Sequence, residues 1–193
     1  ANTSRNLNAN QFRCKGYTFD GWTTVKGDFY SDGAAFTQTV EHNGEVMLYA
    51  KWARLSDVTI TYTAYPDSLG SVALNSGTSQ DTAVQAAGVS ESTNPETGTL
   101  LGATATPNEG IVFAGWYNDL TNKMVWDRET FVPQRQQDGR YVSASYDAWF
   151  RPQRYTLTFD ANGGTGTMKD QTFSHGDAQP LTCLLYTSDA ADD

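Results

Sequence analysis

Metal and acid–base chemistry rests mostly on histidine, cysteine and paired carboxylates, and this chain of 193 residues has two His and two Cys. His42, His175, Cys14 and Cys183 share no spacing of the kind that zinc ligands need. No metal site is expected, and each His reads as a surface residue. No Gly-x-Ser-x-Gly is present, and Cys14 has no histidine near it in the sequence to act as its base. Glycoside hydrolysis needs two facing carboxylates. The candidates, Glu109 and Asp127, sit in turn-like polar stretches and read as solvated groups. Asp160–Gly166 is oxygen-rich but lacks the third acidic position and the distal Glu of a calcium loop. Gly163–Lys169 is Gly-rich with a Lys, yet its order is not that of a phosphate-binding loop. A turn accounts for both segments. No catalytic residue, cofactor or metal is therefore expected. Tyr117, Trp126 and Tyr141 would serve a sugar ring if they were coplanar and exposed. The weight of aromatic side chains in small cores favours packing instead.

These residues are carried by elements that read as strands. Tyr155-Thr-Leu-Thr-Phe159 alternates large apolar residues with Thr, which places Tyr155, Leu157 and Phe159 on one face. Val58, Ile60 and Tyr62 repeat that pattern. Asp160-Ala-Asn-Gly-Gly164 supplies residues that tolerate positive φ, as a tight turn requires. In Gly16-Tyr-Thr-Phe-Asp-Gly-Trp22 the alternation puts Tyr17 and Phe19 together, Gly21 permits a bulge or close approach, and Trp22 anchors a core. An indole can remove on the order of 200 Å² from water. Helix signals are weak. Gln80–Ala87 has room for two turns, with Asp81 as N-cap and Gly88 as stop, but it lacks a wide apolar stripe.

Internal echoes organise the chain. Gly16-Tyr-Thr-Phe-Asp-Gly-Trp22 returns as Gly110-Ile-Val-Phe-Ala-Gly-Trp116. Val58-Thr-Ile-Thr-Tyr-Thr-Ala64 returns as Tyr155-Thr-Leu-Thr-Phe-Asp-Ala161. Leu48-Tyr-Ala-Lys-Trp52 returns loosely as Tyr146-Asp-Ala-Trp-Phe150. The expected core is Tyr17, Phe19, Gly21, Trp22, Trp52, Phe113, Gly115, Trp116, Trp149 and Phe159. Residues 155–182 read as the front of a module whose back is represented by residues 1–52. Joined, the two would make about 75 residues, the size of a small domain. The middle unit is longer and carries a Ser/Thr/Gly-rich insertion between Gly70 and Gly102.

Composition agrees with strands and turns. Aromatics reach 12% and the formal net charge is -9. An acidic surface repels phosphate backbones, so no nucleic-acid partner is expected. No run of ~20 apolar residues is present to span a membrane. The chain begins at Ala1 with no basic-then-apolar leader and ends without a sorting signal, so it reads as a piece of a longer protein. Residues 183–193 match the in-frame translation of a sequencing-library adapter and are set aside as an artefact. With Cys183 set aside, Cys14 stands alone and has no disulfide partner.

Tyr155-Thr-Leu-Thr-Phe-Asp-Ala-Asn-Gly-Gly164 with Gln171-Thr-Phe173 resembles the opening of an internalin-type B repeat, or Listeria–Bacteroides repeat. Gly16–Trp22, Tyr30-Ser-Asp-Gly-Ala34 and Leu48–Trp52 resemble its remaining blocks, in the family's order. The middle unit resembles the divergent form. It lacks the Asn-Gly-Gly turn and the Tyr-x-Asp-Gly-Ala block. The resemblance implies a mainly β fold, with α+β as its variant, in tandem small β-grasp-like modules of which the first and last are truncated. The expected divisions are 1–53 (the C-terminal part of a module), 54–152 (a divergent module), 153–182 (the N-terminal part of a further module) and the 183–193 tail. The implied role is a non-catalytic stalk and interaction region of a secreted or cell-wall-associated bacterial surface protein. Its expected partners are a protein or glycan ligand on a host or cell envelope. The rival expectation is a carbohydrate-binding accessory of an exported enzyme.

Overall fold

A computed structural model of the chain describes residues 4–37, 44–75 and 88–181. His42, the ambiguous 80–87 segment and the 183–193 tail lie outside the described residues. Among the described residues every regular element is a strand. In chain order they are β1 (Arg5–Asn6), β2 (Tyr17–Thr23), β3 (Phe29–Tyr30), β4 (Ala35–Phe36), β5 (Tyr49–Arg54), β6 (Val58–Tyr65), β7 (Gly70–Leu74) and β8 (Val89–Thr93). They continue with β9 (Ala103–Pro107), β10 (Ile111–Asn118), β11 (Lys123–Trp126), β12 (Thr130–Phe131), β13 (Ala144–Pro152), β14 (Arg154–Leu157) and β15 (Gln171–Ser174).

The strands gather into two compact units. The first comprises Ala1–Ile60, Glu91–Leu100 and Pro133–Ser143, and the second Thr61–Ser90, Leu101–Val132 and Ala144–Asp193. In the first unit, β3-β2-β5 form an antiparallel sheet and β1 pairs with β4. Phe19 packs edge-on against Trp22 at 5.0 Å and against Trp52 at 5.5 Å, and Phe12 covers Trp22 from 6.0 Å. Trp22 is only half-buried, and its Nε1 is enclosed without a hydrogen-bond partner among the described residues.

The main core is built mostly from residues of the second unit, with Ile60 of the first. A sheet of order β11-β10-β13-β6-β8 is accompanied by the antiparallel sheet β12-β9-β7. Period two along β6 sends Ile60, Tyr62 and Ala64 inward, all at 3% exposure or less. Val72, Ala103 and Ala105 line the smaller sheet's buried face. Trp116 is fully buried between Tyr62 (5.8 Å) and Phe131 (5.7 Å), and its indole N–H donates to the Glu129 carbonyl at 2.9 Å. Gly70 makes room for the Phe150 ring, since a Cβ there would lie 2.6 Å from it.

The echo between Gly16–Trp22 and Gly110–Trp116 is one conformation made twice. The β2–β5 register slips between Phe19 and Gly21, and the β10–β13 register between Phe113 and Gly115. The glycines adopt φ of 132° and 136° there, so the expected bulge is present in both. After the slip Trp22 faces Ala50 and Trp116 faces Ala148. Gly21 faces Lys51, and Gly115 faces Trp149.

Trp52 and Phe150, which the echo aligns, each face the phenylalanine of their motif. Other expected core positions are less enclosed. Trp149 lies one residue from Phe150. In a strand that turns it to the opposite face, where it packs on Tyr65 at 5.0 Å and Tyr117 at 4.8 Å. Tyr17 is 44% exposed and belongs to the surface. Phe159 is half-buried and lies beyond the end of β14. Tyr155 and Leu157 are also exposed, at 46% and 37%, because among the described residues β14 pairs only with β15, and a two-stranded sheet is too narrow to hide either. The Asp160–Gly164 turn forms as expected. Asn162 (φ 44°) donates its N–H to Asp160 Oδ1 at 2.8 Å, and the Gly164 N–H reaches the Ala161 carbonyl at 2.8 Å.

Candidate interaction site and family

The first unit carries a groove of about 570 Å³ at the start of β2. Phe12, Arg13, Lys15, Tyr17, Phe19 and Trp52 line one side, and Glu96, Asp138 and Arg140 the other. Phe12 is 64% exposed and Tyr17 44%, so both rings are available to an occupant. The second wall is built from the turn Asn94–Gly98. The Asn94 Oδ1 accepts from the N–H groups of Glu96 (3.0 Å) and Thr97 (3.1 Å), which fixes the turn as an Asx motif. Arg135 braces it by donating to the carbonyls of Pro95 (2.8 Å) and Gly139 (2.9 Å), with its guanidinium 4.1 Å above the Tyr141 ring.

Glu96 on this wall has a displaced pKa. The Gly16 N–H, donating to it at 2.5 Å, holds it below the usual carboxylate range. Partial desolvation opposes that shift, and the ion pair with Arg140 reinforces it. A depressed carboxylate is a fixed negative charge, suited to holding a structure or a cationic group rather than to moving protons. In the second unit, burial raises Asp147 above its ordinary range and the charge of Asp119 adds to that. Burial likewise raises Tyr146. Glu109, Asp127 and His175 are exposed. Among the described residues no group of three or more His, Cys, Asp or Glu could hold a metal ion.

The three aromatics considered as a sugar platform are engaged separately. Tyr141 lies under Arg135. Tyr117 packs on Trp149. Trp126, 44% exposed, donates its indole N–H to the Thr130 carbonyl at 2.8 Å. The groove aromatics Phe12 and Tyr17 were missed as a binding surface. The signal was available: Gln11-Phe-Arg-Cys-Lys-Gly-Tyr17 interleaves aromatic and cationic residues just before a strand. Its opposite wall comes from two later segments, at Glu96 and at Asp138 to Arg140, and has no local signature.

A bulged strand built twice, β2 between edge strand β3 and closing strand β5, and β10 between edge strand β11 and closing strand β13, marks an internal repeat. Residues 60–148 match the family described as divergent InlB B-repeat domain. Residues 2–51 and 155–182 match the Listeria–Bacteroides repeat domain. The chain belongs to this repeat family, with the divergent type at its centre. Such repeats are found in bacterial surface proteins. A protein of Evansella cellulosilytica described as "Putative Gly-rich membrane protein" is 30% identical over 154 residues, covering 78% of this chain. The matched stretch is 14% of that relative's length. No solved structure matches the chain. Among the described residues no helix is long and apolar enough to cross a membrane.

Proposed function

We propose that this chain is a non-catalytic stalk and adhesive region of an exported bacterial surface protein. The supporting observation is the bulged Gly-x-x-Phe-x-Gly-Trp hairpin, built twice on one register with different surface residues around it. A chain that rebuilds one scaffold while its exterior changes is suited to spacing and to contact. Repetition lets weak contacts add through effective concentration. The localisation that follows is extracellular, at the cell wall. Single-molecule extension of the chain tethered at both ends tests the load-bearing role. Discrete unfolding events that recur after relaxation are expected. Featureless entropic extension would remove the stalk reading.

A second reading, a carbohydrate-binding accessory of an exported enzyme, is favoured by the groove. Exposed Phe12 and Tyr17 lie there beside Arg13, Asp138 and Arg140, the mixture of stacking faces and hydrogen-bonding groups that sugars need. A glycan array with Tyr17→Ala and Trp126→Ala separates the sites. Signal lost with Tyr17→Ala alone places the contact in the groove. Absence of any glycan signal from the parent chain eliminates this reading.

A further inference from the structure

The first glycine of each echoed motif, Gly16 or Gly110, has a role distinct from that of the bulge glycine, visible when the two modules are compared at their outgoing ends. In the first unit the Gly16 carbonyl accepts from the N–H of Leu55, the residue just after β5, at 3.0 Å. In the second unit the Gly110 carbonyl accepts from the N–H of Gln153, just after β13, at 2.9 Å. Each bond fastens the connection leaving a module to the start of that module's own hairpin.

Each glycine also receives a residue from the module that follows. Asn94 comes directly after β8, and His175 directly after β15. β8 neighbours β6, and β15 pairs with β14, so the two residues hold the same place in successive modules. Asn94, 5% exposed, donates Nδ2 to the Gly16 carbonyl at 3.0 Å and to the Leu55 carbonyl at 3.5 Å. His175 donates its backbone N–H to the Gln153 carbonyl at 2.8 Å. The side of Gly16 where a Cβ would stand is filled by Thr97 Cγ2, 2.8 Å away, and by Asn94 Oδ1 at 3.1 Å. The same side of Gly110 is filled by the His175 imidazole. Both glycines have positive φ, 84° and 70°.

We infer that these contacts form a repeated joint, in which the first motif glycine of one module is the docking point for the strand-end residue of the next. The occupant is the succeeding module of the same chain. A side chain, Asn94, makes the link at one joint, chiefly to the Gly16 carbonyl and more distantly to that of the connecting residue Leu55, and a main-chain N–H, His175, makes it at the other, to the carbonyl of the connecting residue Gln153. Gln153 thus has its N–H held by Gly110 and its carbonyl by the following module, and Leu55 has its N–H held by the same Gly16 carbonyl that Asn94 reaches. A connection so fastened cannot swivel freely. This goes beyond the stalk reading, which a flexible string of modules would also satisfy.

Hydrogen exchange measured by NMR on the full chain tests the joint. The Leu55 and Gln153 amides are expected to be protected about 100-fold or more over an unfolded chain. If both exchange at the unfolded rate, the joint does not exist, while the stalk reading stands. Asn94→Ala should lower Leu55 protection on the order of fivefold to tenfold, the size of one lost hydrogen bond. Gly110→Asn is the sharper variant. Asn tolerates positive φ, so its Cβ chiefly intrudes on the imidazole. It should expose the Gln153 amide and broaden the electron–electron distance distribution between spin labels at Leu120 and Thr172, with Cys14 and Cys183 replaced by Ser. Adding His175→Gly should restore protection by clearing the space. No loss in Gly110→Asn, or no rescue in the double variant, would overturn the proposal. If Gly110→Asn fails to fold, parent protection and the rescue still decide it.

Discussion

Trp116→Ala and Trp22→Ala exchange the same residue of the same motif, yet the first should cost about twice as much as the second. Trp116 is fully buried. Burying an indole removes roughly 200 Å² from water, and at ~25 cal/mol per Å² that is about 5 kcal/mol. The Ala left behind recovers part of the transfer energy, while the cavity adds to the loss, so about 4–5 kcal/mol is expected. Trp22 is half-buried and should cost about 2 kcal/mol by the same arithmetic. Replacement by Phe separates the polar contribution. Trp116→Phe loses the bond to the Glu129 carbonyl and some volume. That carbonyl keeps the Ala105 N–H at 3.1 Å, so no acceptor is orphaned. A loss of about 2 kcal/mol follows. Trp22→Phe removes an enclosed N–H that has no partner among the described residues. The ~1–3 kcal/mol relieved should offset the lost contact and leave stability within about 0.5 kcal/mol of the parent. Urea unfolding followed by far-UV circular dichroism and by the resolved indole NMR signals measures all four variants. Equal losses for Trp22→Phe and Trp116→Phe would refute the reasoning, as would equal losses for the two Ala variants.

Other perturbations act on charge and backbone. Because the Glu96 pKa is depressed in the folded chain, its contribution to stability is present above the ordinary carboxylate pKa and lost as pH falls through the depressed value. The unfolding midpoint between pH 7 and pH 3 should therefore fall less steeply in Glu96→Gln than in the parent. Asp147 has the opposite sign: its raised pKa means that its charge opposes folding at neutral pH. Asp147→Asn should raise the thermal midpoint at pH 7, and the gain should vanish in acid. Gly21→Ala and Gly115→Ala should each cost on the order of 1–3 kcal/mol through backbone strain. Gly21 should be the worse, because its Cβ would meet the Tyr30 carbonyl at 2.7 Å, whereas Gly115 meets the flexible Met124 Sδ at 2.8 Å. Calorimetry on the pair orders them.

The legible parts of this fold were those fixed by neighbours in sequence. Gly21 after the alternating Tyr17 and Phe19 permits a bulge or a close approach, and the bulge is what forms, because few other residues accept the backbone that it needs. The period along Val58–Tyr62 implies a strand with Ile60 and Tyr62 inside, and both are buried. Trp149, expected in the core, adjoins buried Phe150 on β13 and so turns to the other face of the strand, and which of two neighbouring aromatics points inward is decided by pairing rather than by composition. Tyr155 and Leu157 alternate as a buried face should, but burial depends on a covering layer that alternation does not supply. The Asn94 contact joins residues 78 positions apart, and the groove draws on segments more distant still. Asn94-Pro-Glu-Thr-Gly98 shows turn chemistry in its sequence, yet nothing there indicates that Gly16 is its partner.

The bulge leaves one position of each closing strand opposite a glycine and turned away from the Trp below it. Lys51 occupies it in one module, tethered to Asp20 at 2.8 Å and lying over Phe29, and Trp149 occupies it in the other. A cationic side chain and a large aromatic one are thus accommodated at equivalent points of a common frame. The bare backbone beside that point frees the outward residue to change chemical character without repacking the interior, so a lineage of duplicated modules can diversify what it presents while its folding stays the same.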